Sequence, residues 1–423
     1  MNCCGFHYED SLEYIAPSNG NWGLVRVLCL IPQTHILFIA PPACGRHSAL
    51  GALQKNLKHR VSYYFLDRSE IIAGYDEEIK GAVRELLARL PKRPRAVICI
   101  VSCLDDLIGT DVERIMEELN EEIEGVAFRC GHMNPITMDT KSPPLVSNQD
   151  VMFSLLAPAV HQRENSVNLI AAFEPIHEEC ELYRVLEAGG ISRVNHLSAC
   201  RDYDQFQEMS RARLNLLLSP SGGLAVENMK RRLGIPFLFL VPSYRLAVVQ
   251  KQYEALLQAL GIAPEAAEPI LTAARQEAEA VIARAVEQVG DRPIRISGGS
   301  VMRPFETARA LIEYGFHVDC VIAQQVLPFE KEDAQWLCRH APKLKYRQTQ
   351  HFRTVLFEDW NPEIVGVGFH SAYVSGSAHV QPLMNDEFNF GYHGIVRLLS
   401  GLAQASQERS DLKRLIEEYG LVI

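Results

Sequence analysis

The sequence predicts an α/β protein built from three parallel-sheet units. Short β-branched or apolar runs alternate three times with longer amphipathic stretches, the pattern left by strand–helix–strand crossovers. A length of 423 residues exceeds what a single ordinary core serves. Hydrophobic residues make up 47% and charged residues 22%, so each unit has apolar material enough for its own core.

The first unit is expected over residues 1–150. Its strand-like runs are Ile36–Ala40, Val61–Leu66, Ala96–Ser102 and Val126–Arg129, with helical stretches at Asp76–Leu90 and Asp111–Glu124 between them. Pro143-Pro144 and the polar Ser147–Asp150 mark its end. The second unit, 151–290, has runs at Val167–Phe173, Arg193–Leu197, Leu214–Ser219 and Phe237–Val241. A long Ala/Glu/Gln/Arg-rich segment from Leu246 to Val289 closes it. Gly261 and Pro264 divide that segment into two helices, read as a connecting hairpin with one face buried. The third unit, 291–423, has runs at Ile294–Ser297, Val318–Ala323, Thr354–Phe357 and Ile364–Phe369. A final helix is expected from Gly391 through Ala405.

Composition excludes several classes. The net charge is −10 and no basic stripe runs along the chain, which argues against nucleic acid. The densest basic stretch, Pro91-Lys92-Arg93-Pro94-Arg95, reads as a solvated turn. Residues 1–10 lack the cationic and apolar regions of a secretory signal. The apolar segment Val25–Pro42 is broken by Arg26, Gln33, His35 and its prolines, below the length a membrane span needs. A cytoplasmic protein is expected. Eleven cysteines, an odd number without an export signal, argue for reduced thiols. No phosphate-binding Gly-x-x-x-x-Gly-Lys loop and no Gly-x-Gly-x-x-Gly fingerprint is present.

Two cysteines follow apolar strands where helices are expected to begin. One lies in Ile39-Ala40-Pro41-Pro42-Ala43-Cys44-Gly45-Arg46-His47, the other in Val101-Ser102-Cys103-Leu104-Asp105-Asp106-Leu107-Ile108-Gly109. In open α/β sheets the carboxyl ends of the strands form the binding crevice. A helix start favours a thiolate, and thiolates hold iron–sulfur clusters. Gly45 lets backbone approach a bulky group. Either cysteine read alone is more often a small buried residue, and the two together on neighbouring strands leave packing and ligation evenly open. Cys99 alternates with the strand and reads as core. Cys130-Gly131-His132 follows a strand and either lines the same cleft or reads as a core cysteine and a loop histidine, the second reading being favoured. Cys3-Cys4 with His7 could ligate a metal or be incidental at a chain end. His47, His370 and His379 are proton-donor candidates only by proximity to loops, and no catalytic residue is assigned. Cys180, Cys200, Cys320 and Cys338 are expected to pack, since their spacing fits no zinc pattern.

These motifs resemble the subunits of nitrogenase component 1. Cys44-Gly45 is similar to that family's second cysteine site. Ser102-Cys103 followed by Leu107-Ile108-Gly109 and Asp111 is similar to its third. Ala16–Gly23 resembles the region of its first cluster cysteine. Gly222-Gly223 through Gly234-Ile235-Pro236, Ser297-Gly298-Gly299-Ser300 and Gly391-Tyr392-His393-Gly394 resemble later landmarks, in order along nearly the whole chain.

The resemblance implies three Rossmann-like parallel-sheet domains. It also implies an iron–sulfur cluster of the [4Fe–4S] type at a dimer interface, held by Cys44 and Cys103. Pro17 and Ser18 stand where the family's first cluster cysteine would be, so Cys3, Cys4 and Cys29, or a second subunit, are the further ligand candidates. The partners it implies are an ATP-dependent iron-protein reductase and either a second copy of the chain or a paralogous subunit. Ala225, Val226 and Glu227 occupy the place of the cofactor cysteine, and Met384-Asn385-Asp386-Glu387 that of the cofactor histidine. Reduction of a substrate other than dinitrogen is therefore expected. A scaffold for cluster or cofactor assembly is the alternative, and a cluster-free sugar- or chelate-binding protein the third reading.

Overall fold

The computed structural model describes residues 28–42, 44, 52, 56–134, 142–159, 163–172, 174–348 and 360–419. These residues group into two compact units, one holding residues 28–172 and 192–239 and the other residues 174–191 and 240–419. Among the described residues no helix is long and apolar enough to cross a membrane. The expected run Thr354–Phe357 lies outside them.

The first unit contains two four-stranded parallel sheets. One has the order β2-β1-β3-β4, from β1 (Thr34–Ala40), β2 (Val61–Phe65), β3 (Ala96–Ser102) and β4 (Ala127–Met133). β1 and β3 are buried along their whole length, which the continuous apolar runs THILFIA and AVICIVS require of central strands covered on both faces. Alternate residues enter different cores. Leu37, Ile39, Val97, Cys99 and Val101 pack with Ile79, Val83 and Leu86 of helix Asp76–Arg89 and with Ile115 and Leu119 of helix Val112–Glu122. Phe38, Ile98 and Ile100 face the other way, onto Met152 and Phe153 of helix Pro144–Ser154.

β4 runs past the expected stop at Arg129. Register pairs Cys99 with Cys130 and Ser102 with Met133, so the backbone of Cys130, Gly131 and His132 is spent on the ladder. Gly131 reads as a break in the sequence but is a close approach, since a Cβ there would lie 2.2 Å from Asn148 Oδ1.

The second sheet, order β6-β5-β7-β8, comprises β5 (Ser166–Ile170), β6 (Arg193–Asn195), β7 (Leu214–Leu217) and β8 (Phe237–Phe239). A buried asparagine ladder crosses it. Asn195 Nδ2 donates to Asn168 Oδ1 at 2.9 Å, and Asn168 Nδ2 donates to Asn215 Oδ1 at 2.8 Å, following the strand register. Each amide satisfies the next, which removes the cost of polar groups inside a sheet.

The other unit holds a five-stranded parallel sheet, order β11-β10-β9-β12-β13. Its strands are β9 (Ile294–Ser297), β10 (Val318–Ile322), β11 (Lys345–Arg347), β12 (Val365–Val367) and β13 (His379–Gln381). β11 and β13 are short edge strands that the sequence reading missed. The long segment does divide in two, as Leu246–Leu260 and Pro264–Val289. The second helix packs chiefly on the final helix Gly391–Gln407 and on helix Glu181–Ala188, so it does not close a simple hairpin. The final helix buries Ile395, Leu398, Leu399 and Leu402, an apolar stripe at three- and four-residue spacing.

Candidate functional site

β1 and β3 are neighbouring parallel strands, in register from Thr34↔Ala96 to Ile39↔Val101. Their carboxyl ends therefore emerge side by side. Cys44 follows β1 after a turn closed by its own N–H, which donates to Pro41 O at 3.0 Å. Cys103 follows β3 directly, as the first residue of the six-residue helix Cys103–Ile108. Both thiols are partly exposed. The Cys44 thiol is pushed above its ordinary value by burial and, second, by the nearby Cys103 thiol. The two thus lie within electrostatic reach of one another.

The Cys103 position is built from below. Ser102 caps the helix, accepting from Leu104 N–H at 3.3 Å, while Asp105 Oδ2 accepts from Ser102 N–H at 3.1 Å. Asp105 is buried, and Tyr75 donates to its Oδ1 at 2.7 Å from a fully buried ring. Burial raises the Asp105 carboxyl despite these donors. Gly109 ends the helix in the left-handed conformation. None of these contacts uses the Cys103 side chain, which stays available.

Beside this pair, at the carboxyl end of β4, lies a polar cluster around His132, whose carboxylate partners the sequence reading did not foresee. His132 Nε2 is 2.8 Å from Glu113 Oε1, its Nδ1 is 3.4 Å from Asp106 Oδ1, and Cys130 Sγ is 3.6 Å from Nε2. Hydrogen bonding to Glu113 raises the His132 imidazole and lowers the Glu113 carboxyl. His132 is a strand residue, not a loop residue. Cys130 is buried as expected, and Cys99 is fully buried with its thiol pushed up to about 12. Glu113, Asp106 and His132 come from separate segments, so no sequence spacing announced them.

The other candidates fall elsewhere. Cys29 is buried, and its carbonyl accepts from Arg60, which also donates to Thr34 O at the amino end of β1. It therefore sits at the opposite end of the sheet from Cys44, with its thiol raised to about 11 by burial, Arg60 opposing. Cys3, Cys4, His7, Gly45 and His47 lie outside the described residues. Cys180 and Cys320 are buried as expected, whereas Cys200 and Cys338 are only partly so. His370 is not a loop residue but is buried in helix Phe369–Ser375, its imidazole lowered to about 4 by burial. His379 lies in β13, its Nδ1 2.8 Å from Ala405 O. Of the segments where cofactor ligands were looked for, Ala225 and Val226 are buried in the core. Asp386 is also buried, accepting from Tyr244 Oη at 2.5 Å and from Met302 N–H at 2.7 Å.

Residues 21–407 match the family described as nitrogenase component 1 type oxidoreductase. The nitrogenase molybdenum–iron protein alpha chain of Clostridium pasteurianum is 25% identical over 178 residues, 41% of this chain. That stretch spans 32% of the relative's own length, about a third. Two solved structures, of nitrogenase Cp1 at pH 6.5 and at pH 5, share the fold with TM-scores of 0.70 and 0.62 at 15% and 14% identity. Each alignment covers 95% of this chain, and 95% and 90% of the respective solved chain. Over 387 consecutive positions that include both strand-end cysteines, this chain belongs to the nitrogenase component 1 type oxidoreductases.

Proposed function

We propose that Cys44 and Cys103 hold an iron–sulfur cluster shared across a dimer interface, and that the chain is the substrate-reducing subunit of a nitrogenase-like system. The observation that carries this reading is the pair of partly exposed thiols following adjacent parallel strands within electrostatic reach of each other. A four-iron cluster takes about four thiolates, so two from each of two subunits complete it. Cys29 drops out of the ligand set because it sits at the amino end of β1.

The donor set fits such a group. Both thiols are reachable, and large apolar side chains are exposed on neighbouring segments. Phe65 at the end of β2, Ile72 just after it, and Leu107 and Ile108 behind Cys103 are exposed, with Ile72 at 86% and Leu107 at 69%. A second subunit seated there removes that apolar area from water and excludes solvent from the thiolates. When bound, the cluster supplies one-electron storage and transfer. Asp105, held by Tyr75, fixes the cap that aims Cys103. The raised Cys44 thiol gives up its proton on ligation, so loading releases protons.

In this reading the electrons come from a separate ATP-hydrolysing iron protein. Residues 1–150, 151–290 and 291–423 act as three domains of a cytoplasmic oxidoreductase, and the substrate is not dinitrogen. An assembly scaffold with the same ligands is the second reading, favoured by the apolar Ala225 and Val226 where a cofactor cysteine was looked for. Turnover with an iron protein separates the two.

The test is iron and acid-labile sulfide on anaerobically purified protein. About two of each per chain supports a four-iron cluster bridging a symmetric dimer. No iron after anaerobic reconstitution overturns the redox reading and leaves family membership as kinship of fold.

A further inference from the structure

Three donors meet in the unit that lacks the cysteine pair. The imidazole rings of His177 and His393 stack with centroids 5.0 Å apart and planes 25° from parallel. Glu179 Oε2 lies 3.9 Å from His177 Nδ1. One ring nitrogen from each histidine and one Glu179 oxygen all fall within 4.8 Å of one another. His393 Nε2 is buried and has no hydrogen-bond partner, an unspent donor or acceptor inside the protein.

The scaffold fixes both sides of this group. His177 N–H donates to Phe388 O at 3.0 Å, and Cys180 N–H to His177 O at 2.9 Å. The buried carboxylate of Glu181 accepts from Tyr392 N–H at 2.6 Å, His393 N–H at 3.1 Å and Tyr253 Oη at 2.7 Å. The segment carrying His177 and Glu179 is thereby pinned to the start of the helix carrying His393. Upstream, Asn385, Asp386 and Phe388 all have left-handed backbones, with φ of 50°, 55° and 67°. Asn and Asp visit this region readily, whereas a phenylalanine stays there only where the surrounding structure imposes it. The bonds of Asp386 to Tyr244 and Met302 do so here.

We propose that His177, Glu179 and His393 form a binding site for one divalent transition-metal ion of the zinc, cobalt or nickel class. Two imidazoles and a carboxylate are the donors such ions prefer. Donors about 2.1 Å from an ion stand roughly 3.4 Å apart in a tetrahedral shell. Rotation of the solvent-facing Glu179 side chain, with small ring movements, closes the present spacing. The backbone bonds of Glu181 and Phe388 then act as outer supports that keep the two histidines aimed. Three protein donors leave a coordination position open, so water or an anionic ligand oxygen completes the shell. The inference is independent of the thiol pair.

The test is a cobalt(II) titration of the anaerobic full-length protein with its cysteines intact, read by absorption. Nitrogen and oxygen donors give weak d–d bands, whereas thiolates add an intense sulfur-to-cobalt band, so binding at cysteines is counted separately. One equivalent of cobalt without the sulfur band is expected. His177→Ala and His393→Ala should abolish it, and Glu179→Gln should weaken it at least about tenfold. Glu179 is 74% exposed, so Glu179→Gln leaves the fold intact and keeps the test valid if a histidine variant misfolds. The proposal fails if no sulfur-free band appears. It fails equally if that band survives all three substitutions, or disappears only on His132→Ala, which would assign it to His132 with Glu113 and Asp106.

Discussion

Under the proposed ligand assignment, replacing Cys103 by alanine should remove a ligand and almost nothing else. Its side chain opens helix Cys103–Ile108 and is partly exposed. The cap beneath it runs through Ser102, Asp105 and Tyr75, none of which bonds to the Cys103 side chain. Alanine is also the better helix former, so the stability of the metal-free chain should stay within about 0.5 kcal/mol of the parent. The iron should not. In a symmetric dimer the substitution deletes two of about four ligands, so iron should fall from about two per chain to near zero. Cys180→Ala is the control. That thiol is buried in the other unit, with Sγ 3.5 Å from Phe390 O, so its removal costs about 1 kcal/mol of packing and leaves iron unchanged. The assay pairs iron and sulfide quantification with thermal unfolding of anaerobic protein. Full iron in Cys103→Ala, or iron lost in Cys180→Ala at an unchanged melting temperature, would refute the ligand assignment.

Three further substitutions probe the frame around the sites. Glu330 is buried, with Oε1 accepting from Phe305 N–H at 2.9 Å and Oε2 unpartnered, and burial raises its carboxyl from 4.5 to about 8. The folded protein therefore keeps a proton that the unfolded chain releases. The resulting stability is full below about pH 4.5 and drains away by roughly 1.4 kcal/mol per unit as pH rises toward 8. Glu330→Gln should flatten that decline in melting curves between pH 5 and 8, and an unchanged slope would show that the proton is not held there. Arg295 is 1% exposed and donates to Asp319 Oδ2 at 2.6 Å, so Asp319→Asn leaves a buried guanidinium short of its counter-charge. A loss of about 3 kcal/mol is expected in denaturant titration, and a loss under 1 kcal/mol would mean that solvent already screens the pair. Gly391 has φ +64°, and a Cβ there would lie 2.2 Å from Glu181 Oε1. Gly391→Ala should cost at least about 2 kcal/mol by midpoint shift, through backbone strain and loss of the Glu181 bonds to Tyr392 and His393.

The fold was legible where burial on both faces leaves an unbroken apolar run. Ala96–Ser102 was read with both ends correct, because a central parallel strand carries no alternation to blur it. Legibility fell with strand length and at sheet edges. Lys345–Arg347 and His379–Gln381 are three residues each and mostly polar, with Val380 alone buried, and only their pairing partners β10 and β12 make them strands. β4 was cut short because Gly131 looks like punctuation, whereas the reason for glycine there is Asn148, a residue on another element.

The site was legible for a different reason, and only in part. Strand direction, which can be read from sequence, says that residues following apolar runs gather at one end of a parallel sheet. That rule selected Cys44 and Cys103. Nearness of thiols alone would not have sufficed, since Cys99 and Cys130 are directly paired across β3 and β4. Those two are packed inside the core with thiols raised by burial. What separates the pairs is that Cys44 and Cys103 have left the ladder and remain partly exposed, while Cys99 and Cys130 are still within it. His177, Glu179 and His393 obey no such rule. They meet because Glu181 ties two segments more than two hundred positions apart. A buried carboxylate holding two backbone N–H groups leaves no trace in residue spacing, so that group emerges only from the folded chain.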